Sequence, residues 1–226
     1  MGAARVRKVG NSLLGRFAIS RAHPMPYSGS AGDGGLGERE TFRGIWHMRA
    51  LADAIDAVNR RIGYFVSWFA LFIVLIQFAV VVGRYVFGVG SIWVQESIVY
   101  MHAFGFMLAS AYTLQKDGHV RVDIFYREAR PAVKAVVNLL GGLFLLIPVC
   151  ALIVWVSWSY VANSWAVFEG SKETSGIQGV YLLKTAIIVF GVQMGLQGLS
   201  MVLRSILAIS GDETERAGLR MNSSAH

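Results

Sequence analysis

The sequence predicts an all-α membrane protein: four transmembrane helices with an interfacial amphipathic helix at the N-terminal side. Three observations predict it. Four long stretches, 62–83, 97–115, 135–168 and 185–203, contain no Asp, Glu, Lys or Arg. Each approaches or exceeds the ~20 apolar residues that cross a hydrocarbon core ~30 Å thick. Charged residues make up only 15% of the 226-residue chain and hydrophobic ones 54%, where a soluble domain carries about 25% charged residues. The Lys and Arg that remain are divided unevenly among the connecting segments.

That division sets the expected orientation. Ten of the 21 Lys and Arg precede the first span. Lys116, Arg121, Arg127, Arg130 and Lys134 lie between spans two and three, and Arg204, Arg216 and Arg220 follow span four. Only Arg84, Lys172 and Lys184 lie on the other side. Segments rich in Lys and Arg stay cytoplasmic, so both termini are expected in the cytoplasm. The net charge of +7 reads as topogenic and lipid-facing charge rather than a nucleic-acid surface.

Residues 1–44 are rich in Gly, Ser and Arg and read as a disordered cytoplasmic leader. No apolar run follows the basic start, so the segment does not read as a secretory signal. Over 45–61, Met48, Leu51, Ala52, Ile55 and Val58 recur at helical spacing, with Arg49, Asp53, Asp56 and Arg60 on the other face. This predicts an amphipathic helix at the interface that runs into span one. The transmembrane unit is expected over 62–207, followed by a polar tail over 208–226.

Span one ends at Gly83-Arg84-Tyr85, and glycines at 88 and 90 allow a tight turn. Span two starts near Trp93. The 34 uncharged residues of 135–168 would cover roughly 50 Å as a helix. Span three must therefore tilt, bend at Pro148, or project beyond the membrane. Trp155, Trp158, Tyr160 and Trp165 near its end form an aromatic belt. On span four, Gly191, Gly195 and Gly198 would let another helix approach closely.

Residues that could carry catalysis are sparse. A membrane haem site needs facing axial ligands, yet His102 is the only histidine within a span and reads as a buried, satisfied side chain. Cys150 is the only cysteine, which excludes internal disulfides and CxxC chemistry. No P-loop, HExxH motif or G-x-S-x-G elbow is present. The chain is therefore expected to be no enzyme and to need no cofactor or metal. The spans read as continuous and unrepeated, unlike the broken helices that build transport sites. Arg84 and Glu96 flank one turn and are expected to pair across it.

Three motifs occur in order within this topology: Gly83-Arg84-Tyr85-Val86-Phe87, then Trp93-x-x-Glu96, then Asp117-Gly118-His119-Val120-Arg121-Val122-Asp123. Together they resemble the small membrane subunit, DctQ-like, of TRAP (tripartite ATP-independent periplasmic) transporters. The resemblance covers roughly 62–206. Gln95 stands where the family usually carries the first of two carboxylates. Ala129-Arg130-Pro131 stands near the place of a usual Leu-Pro.

The resemblance implies a subunit of a secondary uptake system in a bacterial inner membrane. Its partners would be a large permease subunit holding the substrate and sodium sites, and a periplasmic solute-binding protein. The solute would be an organic anion, a carboxylate or sugar acid. Arg84, Trp93, Glu96, His119, Asp123, Gly191, Gly195 and Gly198 are then candidate structural or partner-interface residues. Two alternatives stand beside this: a membrane anchor of a respiratory or other enzyme complex, and an autonomous small transporter.

Overall fold

A computed structural model describes residues 36–119, 126 and 128–224, with side chains over 43–219 of these. The described residues form helices and connecting turns, with no strand. Helix α1 is Leu36–Phe87 and α2 is Ile92–Gln115. Helix α3 is Pro131–Leu140, followed by a π turn, Gly141–Leu146, and by α4, Ile147–Ala166. Helix α5 is Val180–Ile209 and α6 is Glu213–Ser224. The described residues from Glu40 onward cluster as one compact unit. Four helical segments are long and apolar enough to cross a membrane, the third running unbroken over Pro131–Ala166.

The spans pack around α5. Of its most apolar stretch 44% is buried, against 6–11% for the other three. The interior is small and polar: Ala52, Asn59, Ala111, Ala186, Gln197, Ser200 and Ala208 are buried, while Phe65, Phe78, Phe106, Phe144 and Trp155 face outward. This inverts the soluble arrangement. Lipid tails are as apolar as Leu, so nothing drives large apolar side chains inward, and close packing of small residues holds the helices.

The amphipathic stretch is continuous with span one, and its inward face is not the apolar one. Ala52, Asp56, Asn59, Gly63 and Val66 are buried, whereas Leu51 and Val58 are half-exposed. Asp56, expected on the outer polar face, therefore faces the bundle. The cause is a set of hydrogen-bond partners on α5, described below.

Span three accommodates Pro148 with the π turn. The Ile147 amide donates to the Gly142 carbonyl five residues back. Pro148 has no N–H, and in a regular helix its ring would clash with the carbonyl four residues earlier, that of Phe144. The wider turn just before the proline removes that clash. Gly142 touches α5 there: a Cβ on it would lie 2.8 Å from Val202 Cγ2.

Two helix ends explain residues of the motifs. At the end of α2, Asp117 adopts a left-handed conformation with φ 57°. The Asp117 amide donates to the Leu114 carbonyl at 3.0 Å and the Gly118 amide to the Thr113 carbonyl at 2.9 Å. This is a Schellman stop, so Asp117-Gly118 terminates the helix. The end of α4 repeats it: Phe168, at φ 45°, donates to Trp165, and Glu169 to Ser164.

Candidate functional site

At the end of the bundle where α5 runs into α6, a polar cluster joins four helices. Spacing of four, three and four places Gln193, Gln197, Ser200 and Arg204 along one stripe of α5. The same spacing aligns Ala52, Asp56, Asn59 and Gly63 on α1. Between the stripes, Asp56 Oδ1 accepts from Gln197 Nε2 at 2.9 Å and Ser200 Oγ at 2.8 Å. Asp56 Oδ2 accepts from Arg204 Nη2 at 2.7 Å and Nε at 3.1 Å. Asn59 Nδ2 donates to Gln197 Oε1 at 2.6 Å.

Arg204 extends the cluster. It also reaches Asp53 at 2.7 Å and Glu215 of α6 at 2.8 Å. Burial pushes the Glu215 carboxyl above the usual carboxylate range, although Arg204 pulls it down. Arg49 pairs with Asp212, whose Oδ1 accepts the Thr214 amide at 3.0 Å and so caps α6. Gln115, the last residue of α2, donates to the Asp56 carbonyl at 3.0 Å. The cluster thus binds α1, α2, α5 and α6 at one end.

The other end is organised by Glu96 and Glu169. Glu96 Oε2 accepts the Ile177 amide at 2.5 Å, and its Oε1 accepts the Ser171 hydroxyl. The expected pairing with Arg84 is not what the structure holds. Glu96 is fully engaged by the connection between α4 and α5, while the exposed Arg84 guanidinium lies over Gly90 of its own turn. No ion pair joins the two among the described residues. A Cβ on Gly176 would come within 2.7 Å of Glu96 Oε1, so the loop backbone closes directly on the carboxylate.

Glu169 accepts from Lys184 and from Ser164 Oγ, the latter at 2.7 Å. The Lys184 ammonium first, and the Ser164 hydroxyl second, hold the Glu169 carboxyl below its ordinary range. Lys184 also sits 4.1 Å above the Tyr160 ring. Trp165 and Phe168 meet Tyr181 edge to face.

The glycines of α5 form a groove already filled from within the chain. A Cβ on Gly191 would lie 2.8 Å from Val154 Cγ2 and 3.3 Å from the Cys150 carbonyl. One on Gly198 would lie 2.9 Å from Leu146 Cδ2, and one on Gly195 3.5 Å from Cys150 Cβ. The close approach is that of span three, so these glycines are internal packing positions rather than a free surface for another protein. Trp93 is exposed at the start of α2, and His119 is exposed just past its end. Asp123 lies outside the described residues.

His102 departs from its expected buried place. It is exposed on α2, between Val99 and Phe106, which are 56% and 72% exposed. Among the described residues no group of three or more His, Cys, Asp or Glu could hold a metal ion. The Asp56–Arg204 network was missed in the sequence, although Asp56 and Asn59 on one helix and Gln197, Ser200 and Arg204 on the other, at matching helical spacing, were its visible signal.

Four apolar helices about a small, polar interior define a multi-pass membrane protein. Residues 73–208 match the family model of the tripartite ATP-independent periplasmic transporters, DctQ component. The match takes in most of the transmembrane unit and more than half of the chain, and the chain belongs to this family. It matches no curated protein and no solved structure.

Proposed function

We propose that this chain is the small integral-membrane subunit of a TRAP-type secondary transporter, bracing a large permease subunit. The complete system takes up an organic anion, a carboxylate or sugar acid. Uptake is driven by sodium and depends on a periplasmic solute-binding protein. The chain sits in a bacterial inner membrane with both termini cytoplasmic. It is not an enzyme.

The family match over 73–208 carries this reading. The use of the charged groups supports it. Asp56, Arg204, Glu96, Glu169 and Lys184 are each engaged with other residues of the chain. They tie helix ends together rather than lining a path. Broken mid-membrane helices of the kind that hold coupling ions do not occur in the four described spans. The interior therefore suits a brace.

The test is reconstitution in liposomes with an imposed sodium gradient, omitting each component in turn. Uptake should need this chain, the large subunit and the binding protein together. Accumulation by this chain alone would make it an autonomous transporter. Undiminished uptake without it would remove the bracing role.

A further inference from the structure

The geometry points to the outer face of α2 around His102 as the seat for one transmembrane helix of the large subunit, with the imidazole hydrogen-bonded to a polar side chain of that helix. This rests on the subunit role proposed above.

His102 lies deep in the span. It is ten residues from Ile92 and thirteen from Gln115, roughly 15 and 20 Å along the helix axis. Even neutral imidazole carries one donor and one acceptor, and hydrocarbon offers a partner to neither. A long Lys or Arg could reach the headgroups, but imidazole is too short to do so. His102 has no hydrogen-bond or ionic partner among the described residues.

The inward sides of α2 are already used. Gln193 donates to the Leu108 carbonyl at 3.1 Å, Ala111 is buried, and Gly105 faces Phe69 of α1. The exposed side carries Ile92, Val99 and Phe106, all within about 80° of His102 at 100° per residue. The face is thus an apolar ridge with one polar point at mid-depth. By contrast, Leu145, Val149, Leu152 and Val156 on the outer side of span three are exposed and apolar, which lipid alone satisfies.

A second copy of this chain fits the ridge less well. In a symmetric contact the face would offer His102 only the other His102 at its own depth: Ile92, Val99 and Phe106 carry no hydrogen-bonding side chain, and Gln95, seven residues back on the same face, lies roughly 10 Å nearer the helix start. One nitrogen of each ring would stay unmet. The family is one component of a three-part transporter, so a different membrane protein is the occupant to expect. Its helix must present a hydroxyl, amide or carboxylate at mid-depth.

The test uses membranes holding the full chain with its large subunit. Photo-crosslinking residues at Val99 and Phe106 should give adducts with the large subunit, and one at Leu152 should not. His102→Leu should lower recovery of the complex about 3- to 30-fold, the range of a hydrogen bond between membrane helices. His102→Gln should restore most of it. Adducts from Val99 and Phe106 confined to lipid or to a second copy would overturn the assignment, as would unchanged association of His102→Leu. Should the wild-type chain bind no large subunit at all, the subunit role itself fails. Should the complex form with adducts only from Leu152, the subunit role stands and the α2 seat alone is lost.

Discussion

Arg204 and Asp56 stand 148 residues apart in the chain and meet through two guanidinium nitrogens on a single carboxylate oxygen, at 2.7 and 3.1 Å. The contact joins the stretch of α1 that precedes span one to the far end of span four. Asp56 is 8% exposed as a residue. Removing Arg204 would leave its carboxylate without the charge that offsets desolvation.

Arg204→Met should therefore destabilise the chain by about 2–3 kcal/mol, below the ~3–5 of a fully buried pair because Arg204 keeps some solvent contact. Asp56→Leu should cost a similar amount. The double variant should lose less than the sum of the two, a coupling that thermal melts in detergent would read. Additive losses would show the pair to be independent.

The glycine groove should be graded. Gly191→Ala and Gly198→Ala place a methyl under 3 Å from Val154 and Leu146 and should each cost about 1–3 kcal/mol through overpacking. Gly195→Ala meets Cys150 at an ordinary 3.5 Å and should be neutral, or stabilising by about 0.5–1 kcal/mol through helix propensity. Melting temperatures of the three single variants decide it. Equal losses at all three positions would contradict the packing described.

Glu96, not Arg84, should control the connection between α4 and α5. Glu96→Ala frees both the Ser171 hydroxyl and the Ile177 amide, and should speed hydrogen exchange and proteolysis over 170–177. Arg84→Ala should leave that segment as protected as in the parent. A matching loss of protection in both variants would restore a shared role for the two residues.

Two carboxylates should respond to pH with opposite sign. The pKa of Glu169 is lower in the folded chain than its unfolded value of about 4.3. Its contribution is present above that value and is lost as pH falls through the folded pKa. The pKa of Glu215 is raised, so its contribution is present below about 4.3 and is lost as pH rises through the folded pKa. Melts from pH 3 to pH 7 should show Glu169→Gln falling further behind the parent as pH rises. Glu215→Gln should gain on the parent over the same range. Parallel profiles would refute both assignments.

Orientation has its own test. In a Cys150→Ala background, Lys172→Cys should react with a membrane-impermeant thiol reagent in intact cells. His119→Cys should react only after the membrane is opened. The reversed pattern would place the Lys- and Arg-rich segments outside.

The four spans were legible because charge is excluded from them over 19 residues or more, and helices match those stretches within two turns at every end but the start of α1. What each helix faces was not legible. In a membrane protein large apolar side chains belong outside, so the apolar face of 45–61 gave no sign that Asp56 points inward. Its partners lie on the far side of the sequence, as do the partners of Glu96 in the loop before α5. The glycines of α5 announced a close approach without saying whose, and span three supplied it. The motif residues Asp117 and Gly118 gained a physical meaning only with their backbone angles and hydrogen bonds.

The π turn before Pro148 also sets the phase of everything that follows it in span three. A π turn is an α-helix holding one residue more than its turns require. Each residue in a helix advances the phase by about 100°, so the extra one resets every side chain beyond it. Cys150 and Val154 meet the α5 groove in this reset phase, and Gly142 meets Val202 at the turn itself. Deleting one residue within 141–146 would swing the second half of span three by a quarter turn or more, carrying Val154 off Gly191. The contacts beyond the turn thus fix its residue count, and length in this segment should tolerate change far less than residue identity on the lipid-facing side.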